Sequence, residues 1–199
     1  MSGRGFRVGI VALLAVEVLD ELVFGAREAA WPLIRRDLDL SYAEVGLLLS
    51  LPAYVSTVAE PGIGLLGDTR WRRAVVAGGG VAFALSLVGA ALSDSFWPLL
   101  IAFMVLFPAS GAFVSLSQAT LMDLDPDGRE RNMARWAVAG GLGAVGGPLA
   151  IAALAGWGGG WRWLFAAFAL ASLVLIVAVT RAWPAAKVDA RRPAVGAAF

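Results

Sequence analysis

The sequence predicts an all-α membrane protein, a bundle of six transmembrane helices, and three observations carry that prediction. Hydrophobic residues make up 59% of the 199 residues and charged residues only 16%, against about 45–50% and about 25% in soluble domains. The apolar residues come in blocks close to the ~20 residues that cross ~30 Å of hydrocarbon. The charges gather in short separators between those blocks, chiefly RRDLDLSYAE, GDTRWRR, SDSF and DLDPDGRERNMAR. The chain has no cysteine and no histidine. Disulfides, thiolate metal sites, histidine-ligated zinc or haem and Ser-His or Cys-His catalysis are therefore excluded. A net charge of +1 gives no footing for nucleic-acid binding, so the placement of charge matters more than its sum.

The first apolar segment, about 7–31, follows Arg4 and Arg7 in the manner of a signal peptide. Glu17, Asp20 and Glu21 interrupt it and no small-residue cleavage site follows, so it is expected to be a retained helix. It also contains Arg27 and Glu28. At about 100° per residue these five side chains fall within an arc of roughly 120°. Charge at membrane depth is costly unless it faces a bundle interior or a wet cavity, and a single polar stripe satisfies that condition. Asp20 and Glu21 lie near the middle of the span. They are the leading candidates for protonatable or substrate-facing groups, the alternative being ion pairing that only fixes helix contacts.

The second segment, about 43–66, carries Glu60 beside Pro61. Glu60 is either a second cavity carboxylate or the partner of an arginine. The third, about 74–93, is apolar throughout. The fourth, about 97–121, places Gly111, Ser115, Gln118 and Met122 at spacings of four, three and four, a small and polar face that either lines a cavity or packs closely on another helix. The fifth, about 134–156, contains GGLGAVGGP, in which Gly143 and Gly147 are followed by Pro148. Close helix contact is the reading that spacing favours there. The sixth runs about 161–182. Residues 183–199, rich in Pro, Ala and Arg, read as a cytoplasmic tail or the start of a linker.

Basic residues orient the bundle. With the N-terminus inside, Arg4, Arg7, Arg70, Arg72, Arg73, Arg129, Arg131, Arg135, Arg181, Lys187, Arg191 and Arg192 are cytoplasmic, and only Arg35, Arg36 and Arg162 are outside. Twelve against three is a strong positive-inside bias. Trp31, Trp97, Trp157, Trp161 and Trp163 fall at outer helix ends, and Trp71, Trp136 and Trp183 at inner ends, the headgroup depth that indole rings prefer. The expected topology is multi-pass in the cell membrane, with both termini cytoplasmic.

The charge knot GLLGDTRWRR, residues 64–73, sits between the second and third segments. Together with the six spans and the polar stripe, it resembles the N-terminal half of a major facilitator superfamily transporter. That family's signature at this place is G-x-L-x-D-R-x-G-R-[RK]-x-x-L. Here Gly64, Leu66, Asp68, Arg72 and Arg73 match, Val76 takes the last apolar position, and Thr69 and Trp71 depart from it. An antiporter motif of the family, G-x8-G-x3-G-P-x2-G-G, is half present through Gly143, Gly147 and Pro148. Ala134, Ile151 and Ala152 break it, and the arginine common in the family's fourth helix is replaced by Phe107.

The resemblance implies two three-helix repeats in inverted orientation, with the first and fourth helices lining a central cavity. It further implies secondary active transport of a small solute by alternating access, with proton coupling and antiporter-like character, and no cofactor or metal. The cavity would use Asp20, Glu21, Glu17, Arg27, Glu28, Glu60, Ser115 and Gln118. Gly64, Asp68, Arg72 and Arg73 would form a gating latch, with the two arginines near anionic headgroups. Gly143, Gly147 and Pro148 would be a packing or hinge element. Such a mechanism needs a second six-helix half: another copy, a separate chain or a further segment. Enzyme readings fail, since a rhomboid-type protease requires histidine and Arg131-Asn132 breaks the pattern of CDP-alcohol phosphotransferases. The alternative is a half that has lost transport and serves as a membrane assembly or regulatory partner.

Overall fold

The computed structural model describes residues 3–156 and 160–183, and every described element is helical. Trp157 and the tail from 184, with Lys187, Arg191 and Arg192, lie outside the described residues. The helices are α1 (Gly3–Asp37), α2 (Tyr42–Gly67), α3 (Arg72–Leu92), α4 (Phe96–Ser110), α5 (Leu116–Leu124), α6 (Arg129–Gly156) and α7 (Trp161–Arg181). A π-helical turn, Gly111–Ser115, joins α4 to α5, and a short 3-10 turn, Pro126–Gly128, precedes α6. Five helical rods are long and apolar enough to span a membrane: α2, α3, the continuous Phe96–Leu124 rod, the Pro126–Gly156 rod and α7. The sixth, α1, has 35 residues, roughly 50 Å at 1.5 Å per residue. Its length exceeds a bilayer core, and its charges alone separate it from the others.

α1 is the central helix. Leu13, Val16, Leu19, Val23, Ala26, Ala30 and Ile34 are buried along it at steps of three or four residues, the seam expected of a helix gripped by others. It packs most extensively on α6, then on α7, while α3 packs on α7 and α4, and α2 packs on α4. The start of α1 lies beside the end of α7: a Cβ on Gly9 would sit 3.3 Å from the Ala182 carbonyl oxygen.

Glycines set the α1–α6 distance. A Cβ on Gly143 would lie 2.5 Å from the Val18 carbonyl oxygen and 2.9 Å from the Leu22 amide nitrogen, and one on Gly147 would lie 2.5 Å from the Leu22 carbonyl oxygen. From the other side, a Cβ on Gly25 would lie 2.9 Å from the Ala144 carbonyl oxygen and 3.1 Å from Pro148. No lipid-driven hydrophobic effect pulls two membrane helices together, so close backbone approach through small residues supplies the attraction.

Both ends of the bundle are stapled. At the end opposite GLLGDTRWRR, Asp37 accepts from the Arg162 guanidinium and from Trp161 Nε1 (3.2 Å), and Arg162 also donates to the Ser93 carbonyl (2.7 Å). Three helices, α1, α3 and α7, are tied there. The short α1–α2 connection ends in a capping box. Ser41 Oγ accepts from the Glu44 amide, and the Glu44 carboxylate accepts from the Ser41 amide at 2.8 Å, satisfying two otherwise orphan donors.

A side chain at Gly147 has backbone in its way, not a yielding side chain. Gly147→Val is expected to cost about 1–3 kcal/mol through overpacking. The neighbouring Gly141 has nothing within 4 Å of its Cβ position, so Gly141→Ala should be neutral or slightly stabilising. Thermal unfolding of the two purified variants in detergent checks the contrast.

Candidate functional site

The five mid-span charges of α1 do not act as one stripe: two turn toward α6, two toward α4, and Glu28 stays exposed. Glu17 and Glu21 turn toward α6, where a Cβ on Gly140 would lie 2.8 Å from Glu17 Oε1 and one on Gly143 would lie 2.6 Å from Glu21 Cβ. Glu17 is only 8% exposed, and the Trp136 indole serves as its hydrogen-bond partner. Asp20 and Arg27 turn toward α4. Asp20 Oδ1 accepts from Ser110 Oγ at 2.8 Å. The Arg27 guanidinium lies 4.7 Å from the Phe107 ring centre and 4.9 Å from that of Phe24, with Phe103 at 5.8 Å. Glu28 accepts from Arg27 Nη2 and is itself exposed. Within the expected arc, the two subgroups differ by roughly one neighbouring helix in direction.

A second carboxylate approaches the same part of α4. Glu60 accepts from Ser56 Oγ at 2.8 Å, and a Cβ on Gly111 would lie 3.5 Å from Glu60 Cγ. Ser110 and Gly111 are adjacent, so Asp20 from α1 and Glu60 from α2 meet the chain at consecutive residues where the α-helix gives way to the π turn. Pro108 lies just before it; a proline removes one helical donor and loosens the ladder at its position. π turns concentrate at functional positions because a widened turn re-aims side chains and frees backbone groups.

The same turn changes the expected face of the fourth span. Gly111 is buried, Ser115 is exposed and Gln118 is half-buried, so the four-three-four spacing does not yield one surface. A wider turn of helix inserted at 111–115 shifts the register for everything after it. Gln118 Nε2 reaches Met133 Sδ at 3.6 Å. Nearby, a groove of about 540 Å³ runs between α1 and α6, lined by Leu14, Val18, Val138 and Leu142 and edged by Arg131 and Arg135.

At the GLLGDTRWRR end, Arg72 is the organising residue. Its side chain is 7% exposed. Nε donates to the Gly67 carbonyl at 2.6 Å, Nη1 donates to Asp123 Oδ2 at 2.6 Å, and Nη2 reaches Asp68 Oδ1 at 3.5 Å. Arg73 Nη2 donates to the Thr180 carbonyl at the end of α7 (2.9 Å). The resemblance implies both arginines near lipid headgroups; Arg72 turns inward, while Arg73 stays exposed and clasps a helix C-terminus, where free carbonyls attract cations. Asp68 is 78% exposed, and Gly64 is exposed beside it.

Sequence reasoning missed Asp123, Ser110 and the three phenylalanines around Arg27. Asp123 carried a legible signal, an acidic residue at a span end facing an arginine cluster across one helical hairpin. The phenylalanines carried none, because apolar side chains in a membrane span are the default.

Helical rods of membrane-spanning length around a central helix with buried charge define a multi-pass membrane protein of the transporter type. The chain matches the family model described as the Major Facilitator Superfamily over residues 19–198, and it belongs to that superfamily. No curated protein matches the chain.

Removing one partner of the charge-assisted pair tests the Arg72 node. Asp123→Asn should lower stability by about 1.5–3 kcal/mol, the worth of a hydrogen bond to a charged group. Asp68→Asn should move it by less than about 0.5 kcal/mol, as usual for an exposed ion pair. The unfolding midpoints of both variants, measured side by side, check this.

Proposed function

We propose that the chain forms one half of a proton-coupled secondary transporter for a small solute, working by alternating access. The observation that carries the reading is the Asp20–Ser110 hydrogen bond beside the π turn, inside a bundle built to span a membrane. A carboxyl group held against a hydroxyl donor and a helix irregularity combines a group able to exchange a proton with an element that can move when it does. Glu17 and Glu21 on the α6 side, and Glu60 across the turn, supply further carboxylates along a proton path.

In this reading α1–α3 and the following three spans are inverted repeats. Contact pairings support it: α1 on α6 has its counterpart in α4 on α2, and α3 on α4 in α7 on α1. The chain lies in the cell membrane with both termini cytoplasmic, which puts Arg70, Arg72, Arg73, Arg129, Arg131 and Arg135 on the inner side. Asp68 is the latch: exposed and only loosely held by Arg72, it is free to engage a second half. Alternating access requires that half. The exposed apolar ridges of α2 (Tyr54, Val58, Leu65) and α6 (Val138, Leu142, Val145, Leu149) are the surfaces offered to it, and Gly143, Gly147 and Pro148 let α6 and α1 move as a unit.

The purified chain in proteoliposomes loaded with a pH-sensitive dye, challenged with a panel of small organic solutes under an imposed pH gradient, tests the coupling. Wild type is expected to show solute-driven proton movement, Asp20→Asn to show background, and Ser110→Ala to fall between. Asp68→Asn should slow movement while leaving expression intact. No solute-driven movement across the panel rejects proton coupling, and an unchanged rate in Asp68→Asn rejects the latch. Because the chain has no cysteine, Val58→Cys provides a single crosslinking site. A crosslinked species in native membranes is expected, and its mass identifies the second half.

A further inference from the structure

Four nitrogen donors on α1 are buried without a hydrogen-bond partner among the described residues, Arg27 Nε, Arg27 Nη1, Trp31 Nε1 and Arg35 Nε, and the first three gather around one ring. Residues 27 and 31 are one helical turn apart, about 6 Å along the axis. Both flank the same ring, with the Arg27 guanidinium 5.8 Å and the Trp31 ring 5.9 Å from the Phe103 centre. The side chain of Arg27 is 7% exposed, and its ion-pair partner among the described residues, Glu28, occupies Nη2. The nearest other carboxylate on this face, Asp20, is engaged by Ser110.

Every unmet group in this cluster is a donor and none is an acceptor. A buried donor without a partner costs free energy, and a guanidinium presents its donors in a planar fork that matches an oxyanion. The rings of Phe24, Phe103 and Phe107 complete an apolar wall around that fork. α1 and α4 meet here through side chains, with few close backbone approaches, so parting the two helices exposes the donors by giving up side-chain contacts, the Asp20–Ser110 hydrogen bond among them, and no close backbone packing.

We infer that Arg27 and Trp31 form an anion subsite, which takes the carboxylate or phosphate of a solute whose remaining body is apolar. The inference rests on the transporter reading and names the class of solute for it. The donors are covered in this conformation, so the anion reaches them only when α1 and α4 separate, and filling of the subsite belongs to a different state of the transport cycle from the one described above. The anion takes Nε and Nη1 of Arg27 and Nε1 of Trp31, while Glu28 keeps Nη2.

Equilibrium dialysis of the full chain in lipid nanodiscs, with radiolabelled benzoate and phenyl phosphate as probes and empty nanodiscs subtracted, tests the site. Saturable binding of at least one probe is expected, and comparison of the two tells carboxylate from phosphate. Benzyl alcohol and benzylammonium should not compete. Arg27→Gln should weaken binding at least about tenfold, the loss of charge-assisted hydrogen bonds. Trp31→Phe, which keeps the ring and deletes only the indole donor, should weaken it about threefold. Trp31→Phe also serves where Arg27→Gln fails to accumulate. Absence of saturable binding by both anions overturns the inference, as does equal binding by folded wild type and Trp31→Phe. Anion binding without solute-driven proton movement in proteoliposomes rejects coupling and supports the subsite; proton movement without anion binding rejects the subsite.

Discussion

Burying charge inside a membrane bundle is the constraint on which the rest of this structure depends. An isolated charged side chain at bilayer depth costs several kcal/mol, and α1 carries five of them. The chain meets that cost by making α1 the central helix, with α6 on one flank and α4 on the other. Glycines at 140, 143 and 147 bring α6 close enough for Glu17 and Glu21 to lie against its backbone. Aromatic rings and Ser110 on α4 receive Arg27 and Asp20. The helix least suited to lipid is thereby packed against several others.

The two ends of the bundle are held by the same chemistry in different arrangements. Arg72 gathers the Gly67 carbonyl, Asp68 and Asp123, fixing the α2–α3 turn to the end of the fourth span. Arg162, through Asp37 and the Ser93 carbonyl, fixes α1 and α3 to the start of α7. Each uses a planar guanidinium to bridge a carboxylate and a main-chain carbonyl, a geometry that lysine cannot copy. Between these staples the bundle is joined by side chains more than by backbone along the α1–α4 seam, and there the polar groups and the π turn collect.

Much of this was legible beforehand because bilayer thickness imposes a length and a polarity on every span. That the chain is a set of long apolar helices, five of them long and apolar enough to span a membrane, follows from that alone. The polar arc of α1 was legible for the same reason, since five charges within one arc are hard to place any other way. The face of the fourth span was not. Its spacing assumed an uninterrupted α-helix, and the π turn at 111–115 moved Ser115 out of line with Gly111. Pro108 hints at an irregularity, yet where the ladder reforms depends on how Asp20 and Glu60 press on Ser110 and Gly111 from other helices. Arg72 shows the same limit: its spacing in GLLGDTRWRR marks it as important, but a spacing does not tell an arginine that faces lipid headgroups from one turned inward onto Asp123.

The sequence by itself determined that the chain is a helical membrane bundle and which side chains are costly to place against lipid. Those properties are local, set by the transfer free energy of each segment between water and hydrocarbon. Only the tertiary structure decided how the charges of α1 are shared, that Asp123 closes the Arg72 node, and that Arg27 and Trp31 keep three donors without acceptors. These depend on which helix lies against which face, and that choice is made by close contact between residues more than a hundred positions apart in the chain.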